Sequence, residues 1–277
     1  MISPDEIVVL RDFATIADRI DVPFVVIGAG ARLLVFDWQY GLRSTRTTTD
    51  WDTGVRVPDW NAFRLLKEEL IAGDEPMFIQ DERIEHRVRH HRGIAIDIVP
   101  FGGVESENGT IVWPQDDNQM VVLGFREVLA NARNYDLGEG VAIPVATPPG
   151  LAVLKVFAFN DRKKGDDLRD LYFILDKYDQ AGNEQRIFDE LSGLLSDGVL
   201  EYEYAGAYLL GIDVGRLVSS QTLESLLHII GPLLDPYSSD LTLLITRFGD
   251  EHEEEAERVL RAEKFSAFRA GIMASAR

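Results

Sequence analysis

The segment Thr147-Pro148-Pro149-Gly150 divides this chain into two halves with different hydrophobic patterns. Threonine caps helices and proline is favoured in the first helical turn, so we expect a helix to begin here. Before the segment, short apolar runs alternate with helical patterns, whereas the pattern after it is helical. The sequence therefore predicts two domains, residues 1–147 and 148–277. The predicted fold class is α+β, a mixed sheet flanked by helices and followed by an all-helical C-terminal domain.

Hydrophobic periodicity places the elements of both halves. In the first half, helices are predicted near residues 4–20, 29–38, 58–72 and 125–130. Strands are predicted near residues 23–27, 50–57, 77–80, 83–90, 94–101 and 141–146. Residues 102–118 are polar and contain glycine, which indicates a loop or a hairpin. In the second half, helices are predicted near residues 151–160, 167–178, 183–195, 202–218, 222–234 and 252–274.

Composition excludes several classes of protein. The chain has 277 residues, of which 45% are hydrophobic, and no cysteine, so thiolate metal sites and cysteine nucleophiles are excluded. No apolar stretch approaches the roughly 20 residues of a membrane span, and the N-terminus does not resemble a signal peptide. We therefore expect a cytoplasmic protein without a membrane partner. The net charge of −19 repels long polyanions, so no long nucleic-acid track is expected.

Three aspartates are the strongest chemical signal in the sequence. Asp50 and Asp52 are separated by one residue, so in a strand both point to the same face. Asp97 lies in the apolar run 94–99, where a carboxylate is costly unless a cation meets it. Carboxylate oxygens suit Mg²⁺, and the three together predict a site for a divalent metal that carries a nucleotide. The alternative is that Asp50 and Asp52 are turn and edge residues and that Asp97 pairs with an arginine.

A glycine turn precedes the aspartates. Gly28 and Gly30 follow a predicted strand, and glycines let backbone N–H groups approach a phosphate at a helix start. The alternative is a tight turn without a ligand. A dinucleotide-binding fingerprint needs a third glycine where this chain has Leu33, although Asp50 lies at a suitable distance.

Other sequence motifs give weaker signals. A Ca²⁺ loop is excluded, because counting from Asp50 its glycine and glutamate positions hold Val55 and Asn61. The segment Arg83–Arg92, here called the basic stretch, contains His86, His90 and His91 and has the charge to attract an RNA end or a triphosphate. Its alternative is a solvated hairpin.

The second half opens with charged residues at helical spacing. Lys155 interrupts an apolar helix face, and Arg162 follows two turns later on nearly the same face. Such cations either extend to water or bind an anion such as polyphosphate. Asp167 and Asp170 share a helix face, where they either join that site or serve as a helix cap and an ion-pair partner.

The ordered set of these motifs resembles the AbiEii/AbiGii-type nucleotidyltransferases of the DNA polymerase β-like nucleotidyltransferase superfamily. The resemblance covers roughly residues 20–180. It is carried by Gly28-Ala29-Gly30-Ala31, Arg46-x-Thr48-x-Asp50-x-Asp52, Asp97, Lys155 with Arg162, and Asp167-x-x-Asp170-Leu171-Tyr172. The glycine motif departs from the family's more usual Gly-Gly or Gly-Ser pair, and Trp51 stands where the family has a small aliphatic residue.

The resemblance implies a nucleotidyltransferase core with a helical C-terminal domain and a cleft for NTP and Mg²⁺ (or Mn²⁺) between them. It implies metal ligation by Asp50 and Asp52, with Asp97 as a third carboxylate or base. The nucleotide-binding residues it implies are Gly28, Gly30, Arg46, Thr48, Lys155, Arg162, Asp167 and Asp170.

The implied activity is transfer of an NMP from an NTP to an acceptor hydroxyl. The acceptor is a tRNA or other RNA 3′ end, a protein or a small molecule. Some family members are toxins of bacterial toxin–antitoxin or phage-defence systems, so an antitoxin protein is an expected partner. Two other hypotheses stay open, a catalytically silent binding module with this fold and a dinucleotide-binding enzyme.

Overall fold

A computed structural model describes residues 2–43, 50–138, 140–245 and 251–275 of the chain. The chain divides into two compact units, Met1–Thr147 and Pro148–Arg277. The predicted α+β fold class is confirmed. The first unit has a mixed sheet with flanking helices, and the described residues of the second unit form helices.

The described residues of the first unit form nine strands and four α-helices. The helices are α1 (Pro4–Arg19), α2 (Gly28–Arg32), α3 (Trp60–Leu70) and α4 (Phe125–Ala130), and a π-helical segment, Leu33–Gln39, continues α2. The strands are β1 (Phe24–Ile27), β2 (Asp50–Val57), β3 (Phe78–Gln80), β4 (Arg87–His90), β5 (Ala95–Gly102), β6 (Thr110–Val112), β7 (Gln119–Val121), β8 (Arg133–Gly138) and β9 (Val141–Val145).

Seven of the described strands form one sheet in the order β3-β4-β5-β2-β1-β9-β8, and β6 and β7 form a separate hairpin. Strand β2 is parallel to β5 and antiparallel to β1, and β1 is parallel to β9. The remaining neighbours are antiparallel. Strand β2, which carries two of the predicted site residues, therefore lies in the middle of the sheet.

Helices cover both faces of this sheet. Helix α1 begins with a capping box, in which the Ser3 and Glu6 side chains each accept a backbone N–H. Its Phe13 ring lies 5.2 Å from the Phe24 ring, centroid to centroid, on one face. On the other face, Phe125 of α4 packs so close to Gly54 that a Cβ there would lie 3.0 Å from the ring. The glycine in β2 thus makes room for the helix.

Two strands of the seven-stranded sheet differ from the sequence prediction. The strand predicted at residues 83–90 begins only at Arg87, because Asp81 Oδ1 accepts the backbone N–H groups of Arg83 (2.9 Å) and Ile84 (3.1 Å) and forms a turn. Strand β8 is absent from the prediction. It is a largely exposed, polar strand at the edge of the described sheet, where it pairs with β9, so it lacks the apolar alternation that reveals a strand.

The described helices of the second unit are α5 (Pro148–Arg162), α6 (Gly165–Lys177), α7 (Glu184–Ser196), α8 (Tyr202–Leu217), α9 (Ser220–Ile230), α10 (Ser239–Thr242) and α11 (Glu251–Ser275), with a 3₁₀ turn at Gly231–Leu234. Helices α8 and α11 pack backbone to backbone. A Cβ on Gly211 would overlap the backbone oxygen of Phe268, and one on Gly271 would overlap that of Tyr208. Within the ranges that the structure describes, none of the helices combines the length and the apolar character that a bilayer crossing requires.

Candidate active site

The pairing of β2 with β5 brings the three predicted aspartates to one face of the sheet. Asp52 lies directly opposite Asp97 across the two parallel strands, and Asp50 lies opposite Ala95. Side chains two residues apart on a strand share a face, so Asp50, Asp52 and Asp97 all point the same way. The structure thus places next to one another three carboxylates that lie up to 47 positions apart in the sequence.

The glycine turn lies beside the same group. Strand β1 is antiparallel to β2, with Ile27 opposite Asp52, so Gly28 follows at the level of the aspartates. Gly28 has a φ of +67°, and a Cβ there would overlap the Asp52 carboxylate. Gly30 is buried, and a Cβ on it would overlap the Trp51 ring. Gly28 therefore borders the acidic face, whereas Gly30 is a packing position.

A fourth residue, Arg87, joins two of the three aspartates. Its Nε donates to Asp97 Oδ1 at 2.6 Å, and its Nη2 donates to Asp97 Oδ2 at 2.8 Å and to Asp50 Oδ2 at 2.7 Å. Arg87 lies opposite Asp97 across β4 and β5, so its side chain points to the aspartate face. This is the arginine pairing that the sequence leaves open as an alternative for Asp97. The sequence does not single out which arginine makes it.

The side chains of these ion pairs are largely shielded from water. The side chains of Arg87, Asp50 and Asp97 are 19%, 31% and 16% exposed. The hydrogen bonds that Arg87 donates to Asp97 raise the pKa of Arg87 above its ordinary value, and Asp50 adds to this, while burial opposes it. The guanidinium is therefore charged throughout the physiological range and compensates the carboxylates.

The three carboxylates have the chemistry of metal ligands, but they are not arranged as a metal site in this structure. Carboxylate oxygens are the hard ligands that Mg²⁺ and Mn²⁺ take. Over residues 2–43, 50–138, 140–245 and 251–275, no group of three His, Cys, Asp or Glu side chains is arranged to hold a metal ion. At this site, Arg87 donates hydrogen bonds to both oxygens of Asp97 and to one oxygen of Asp50.

Other residues of the basic stretch are also paired. Arg89 donates to Asp81 Oδ2 at 3.3 Å, and Arg92 forms an ion pair with Asp5. His86 lies against the Trp113 ring, and burial lowers the pKa of His86. The charge of these arginines is therefore largely compensated within the unit.

Within the second unit, the predicted residues Lys155, Arg162, Asp167 and Asp170 form one cluster. Lys155 Nζ lies 3.2 Å from Asp167 Oδ1 and 2.7 Å from Asp170 Oδ2. Arg162 binds both oxygens of Asp167, at 3.1 and 2.7 Å. Both aspartates are buried. Asp167 is not the cap of α6, whose N-cap residue is Lys164, so the ion-pair alternative describes this arrangement.

The predicted nucleotide-binding residues Arg46 and Thr48 lie outside the described residues.

A dinucleotide-binding site requires a parallel βαβ unit after the glycine turn, but β1 and β2 are antiparallel. The structure therefore removes the dinucleotide hypothesis.

Three known structures have some likeness to the chain. A nucleotidyltransferase-like antigenic protein from Paracoccidioides brasiliensis has 16% identity and a TM-score of 0.40, covering 70% of this chain and 93% of that one. JHP933 from Helicobacter pylori has 15% identity and a TM-score of 0.35, covering 99% and 96%. The antibiotic-resistance factor ANT(2'')-Ia has 12% identity and a TM-score of 0.35, covering 72% and 98%.

At identities of 12–16% and TM-scores of 0.35–0.40, these likenesses carry no conclusion about the reaction of this chain. No protein-family model matches the sequence. No curated protein matches it either.

Proposed function

We propose that this chain is a metal-dependent nucleotidyltransferase, which moves an NMP from an NTP to an acceptor hydroxyl. One observation carries the proposal. Asp52 lies in register with Asp97 on adjacent parallel strands, Asp50 shares their face, and Gly28 borders Asp52. Three carboxylates beside a glycine turn suit a nucleotide whose phosphates arrive with a divalent cation.

In the proposed reaction, the acceptor oxygen attacks the α-phosphorus of the NTP. A new P–O bond forms, the bond from the α-phosphorus to the bridging oxygen breaks, pyrophosphate leaves and the hydroxyl proton is released. Asp50 and Asp52 are the proposed ligands of Mg²⁺ or Mn²⁺, with Asp97 as the third carboxylate. When bound, the cation would activate the attacking oxygen and stabilise charge on pyrophosphate.

The protein groups then serve to bind and orient the nucleotide. Gly28 packs directly against the Asp52 carboxylate, so its backbone borders the proposed phosphate site, while Gly30 holds the turn against Trp51. Arg46 and Thr48 are proposed to contribute to nucleotide binding from the segment before β2. In the second unit, phosphate binding by Lys155 and Arg162, with Asp167 and Asp170 completing their cluster, stays a separate prediction.

The acceptor is proposed to be a short RNA end such as a tRNA 3′ end, a protein hydroxyl or a small molecule. The net charge of −19 and the internal pairing of Arg87, Arg89 and Arg92 disfavour a long nucleic-acid track. A role as a toxin with an antitoxin partner is part of the same proposal, and it rests on the sequence resemblance alone.

The test combines labelled nucleotides with matched variants. The chain is incubated with each α-labelled NTP, MgCl₂ or MnCl₂ and cell extract, and the label is sorted into RNA, protein and small-molecule fractions. We expect Asp52→Asn to lower transfer by about a hundredfold or more. The exposed Asp74 on the same unit supplies the control, and Asp74→Asn should retain transfer. Equal transfer by Asp52→Asn and the wild type would refute the proposal.

A second candidate is a catalytically silent binding module. The observation in its favour is that Arg87 occupies two of the three carboxylates. This candidate predicts that calorimetry detects no binding of ATP, GTP, CTP or UTP in the presence of Mg²⁺. Nucleotide binding at micromolar to millimolar affinity would exclude it.

A further inference from the structure

We propose that the second unit carries a docking surface for a basic segment of a partner protein, one that presents arginine beside apolar side chains. The surface, here called the α7–α8 patch, consists of Phe188 on α7, Val199 in the connection and Tyr202 at the start of α8. The patch shares no residue with the aspartate face, so this inference stands apart from the proposed nucleotidyltransferase function.

The patch exposes three apolar side chains within one helix-connection-helix segment. Phe188, Val199 and Tyr202 are 51%, 73% and 48% exposed. The rings of Phe188 and Tyr202 stack on each other, with their centroids 5.8 Å apart and their planes at 26°. Single exposed apolar residues are ordinary, whereas a group that includes aromatic rings is typical of a surface that binds another protein.

The turn that ends α7 holds the connection in one geometry. Gly198 has a φ of +67°, a conformation that strains residues with a side chain. Its backbone N–H donates to the carbonyl of Leu195 at 3.2 Å, and that of Val199 donates to the carbonyl of Leu194 at 3.0 Å. This is the Schellman arrangement of a helix end. Hydrogen bonds thus hold the backbone of Val199 before any partner binds, which lowers the entropic cost of binding.

The charge along this segment gives the chemistry of the partner. Residues 187–215 contain six carboxylates and no Lys, Arg or His. The basic residues on either side, Arg186 and Arg216, lie in ion pairs with Glu190 and Asp213. The other carboxylates that flank the patch along the chain are exposed, namely Glu184, Asp189, Asp197, Glu201 and Glu203. Interfaces pair opposite charges, so these carboxylates fit a positively charged partner.

Arginine is the basic residue that suits both the rings and the carboxylates. Its guanidinium binds carboxylates and also lies on the faces of aromatic rings. Tyr202 stands between Glu201 and Glu203, so this position offers both kinds of contact. The exposed apolar surface of Phe188 and Val199 would be covered by apolar side chains of the partner. A helix with arginine on one face and leucine on the other has this composition.

The net charge disfavours the other occupants of such a surface. A chain with a net charge of −19 repels phosphate backbones and anionic lipid headgroups. A second copy of this chain would bring the same carboxylates together. The arginines of its basic stretch would not relieve that repulsion, because Arg87, Arg89 and Arg92 are already in ion pairs with aspartates of the first unit.

The first test measures the apolar part of the surface with the full chain. The probe is a fluorescein-labelled helical peptide of about 18 residues, with leucine on one face and arginine on the other, and binding is followed by fluorescence anisotropy. Phe188→Ser combined with Tyr202→Ser should weaken binding about tenfold or more, since aromatic residues carry much of the energy of interfaces. Leu65→Ser combined with Ile79→Ser is the matched control. These two residues are 48% and 55% exposed on the first unit, and the affinity should change by less than about twofold.

The second test measures the charged part. Glu201→Gln combined with Glu203→Gln should weaken binding of the same peptide by about threefold to tenfold. Asp74→Asn combined with Glu224→Gln removes as much charge at exposed positions elsewhere, and should weaken binding by less than about twofold. A peptide in which glutamate replaces every arginine should not bind.

The outcomes decide between the basic partner and the other occupants. Failure of the arginine peptide to bind the wild type overturns the inference, as do equal affinities for the wild type and the Phe188→Ser, Tyr202→Ser variant. If urea unfolding shows that this variant does not fold, Val199→Ser decides, because an unchanged affinity in that variant also overturns the inference. A wild-type dimer in sedimentation equilibrium that Val199→Ser abolishes would assign the patch to a second copy. Binding of labelled RNA or of phosphatidylserine vesicles that Val199→Ser weakens would assign it to those ligands, and each of these results overturns the basic partner.

Discussion

Gly28 and Asp52 approach each other so closely that no side chain fits between them. Gly28 has a φ of +67°, and a Cβ there would overlap the carboxylate of Asp52. The turn after β1 and the acidic face of β2 are therefore one structural unit. A substitution at either residue would therefore disturb the position of the other.

The first prediction concerns this contact. Gly28→Ala should destabilise the protein by about 2–4 kcal/mol, since it adds left-handed backbone strain and a clash with Asp52. Gly41→Ala is the matched control, because Gly41 has a φ of +71° but a Cβ there would meet nothing within 4 Å, and it should cost about 1–2 kcal/mol. Urea unfolding gives both free energies, and equal losses would contradict the proposed clash.

The second prediction concerns the packing of α8 on α11. Gly211→Ala should destabilise the protein by about 1–3 kcal/mol, although alanine favours helix, because its Cβ would overlap the backbone oxygen of Phe268. Gly193→Ala in α7 meets nothing within 4 Å and should stabilise by about 0.5–1 kcal/mol. Thermal and urea unfolding measure whether each substitution lowers or raises the free energy of unfolding. A stabilising Gly211→Ala would show that the helices do not pack this closely.

The third prediction concerns the buried cluster of the second unit. Lys155 is 12% exposed and lies between Asp167 and Asp170, so Lys155→Met leaves buried carboxylates without their ammonium and should cost about 3–5 kcal/mol. Lys163→Met is the control, because Lys163 is 52% exposed beside Asp240 and should cost about 1 kcal/mol or less. Urea unfolding compares them. Similar costs for both would mean that the buried pairs contribute no more than a surface pair.

The fourth prediction concerns pH and His90. The backbone N–H of Arg92 donates to His90 Nδ1, so Nε2 carries the hydrogen that is donated to Asp12 Oδ2 at 3.2 Å. Burial lowers the pKa of His90, while Asp12 opposes this and His91 and Arg92 add to it. The unfolded chain therefore takes up the proton first. The contribution of neutral His90 to the free energy of unfolding is complete above its pKa in the unfolded chain, about 6.5. This contribution is lost as the pH falls through the lower pKa of His90 in the folded chain.

The measurement is the unfolding free energy across the range from about pH 7.5 to about pH 5, which brackets the ordinary histidine pKa. Wild type should lose stability with a slope of up to about 1.4 kcal/mol per pH unit from this residue. His90→Gln should remove that part of the slope, whereas His228→Gln, at an exposed position, should keep it. An unchanged slope in His90→Gln would assign the acid sensitivity to other groups.

Much of the fold follows from local sequence signals. The bounds predicted for β2 and α4, residues 50–57 and 125–130, are those of the structure, because strong alternation or a short helical pattern lies between clear breakers. The capping box of α1 is also readable from Ser3 and Glu6. The shared face of Asp50 and Asp52 follows from strand geometry alone.

What the sequence does not show depends on partners distant along the chain. Strand β8 exists because β9 offers it a hydrogen-bonding edge, which its own polar residues do not reveal. Arg87 stands out in the sequence only as part of a basic stretch. A hairpin centred on Arg92 places residues five positions to either side opposite each other, which pairs Arg87 with Asp97. That count is available from the sequence, but it requires the turn to be located first.

The in-register pairing of β2 with β5 has a consequence for how this protein can change over time. Side chains alternate along a strand, so sliding β5 by one residue would turn Asp97 and its neighbours to the opposite face. Insertions confined to the loops leave that phase intact, whereas a single-residue deletion inside either strand would erase the acidic face and expose its apolar reverse. During evolution, insertions and deletions should therefore be tolerated in the loops between these strands and be selected against within the strands.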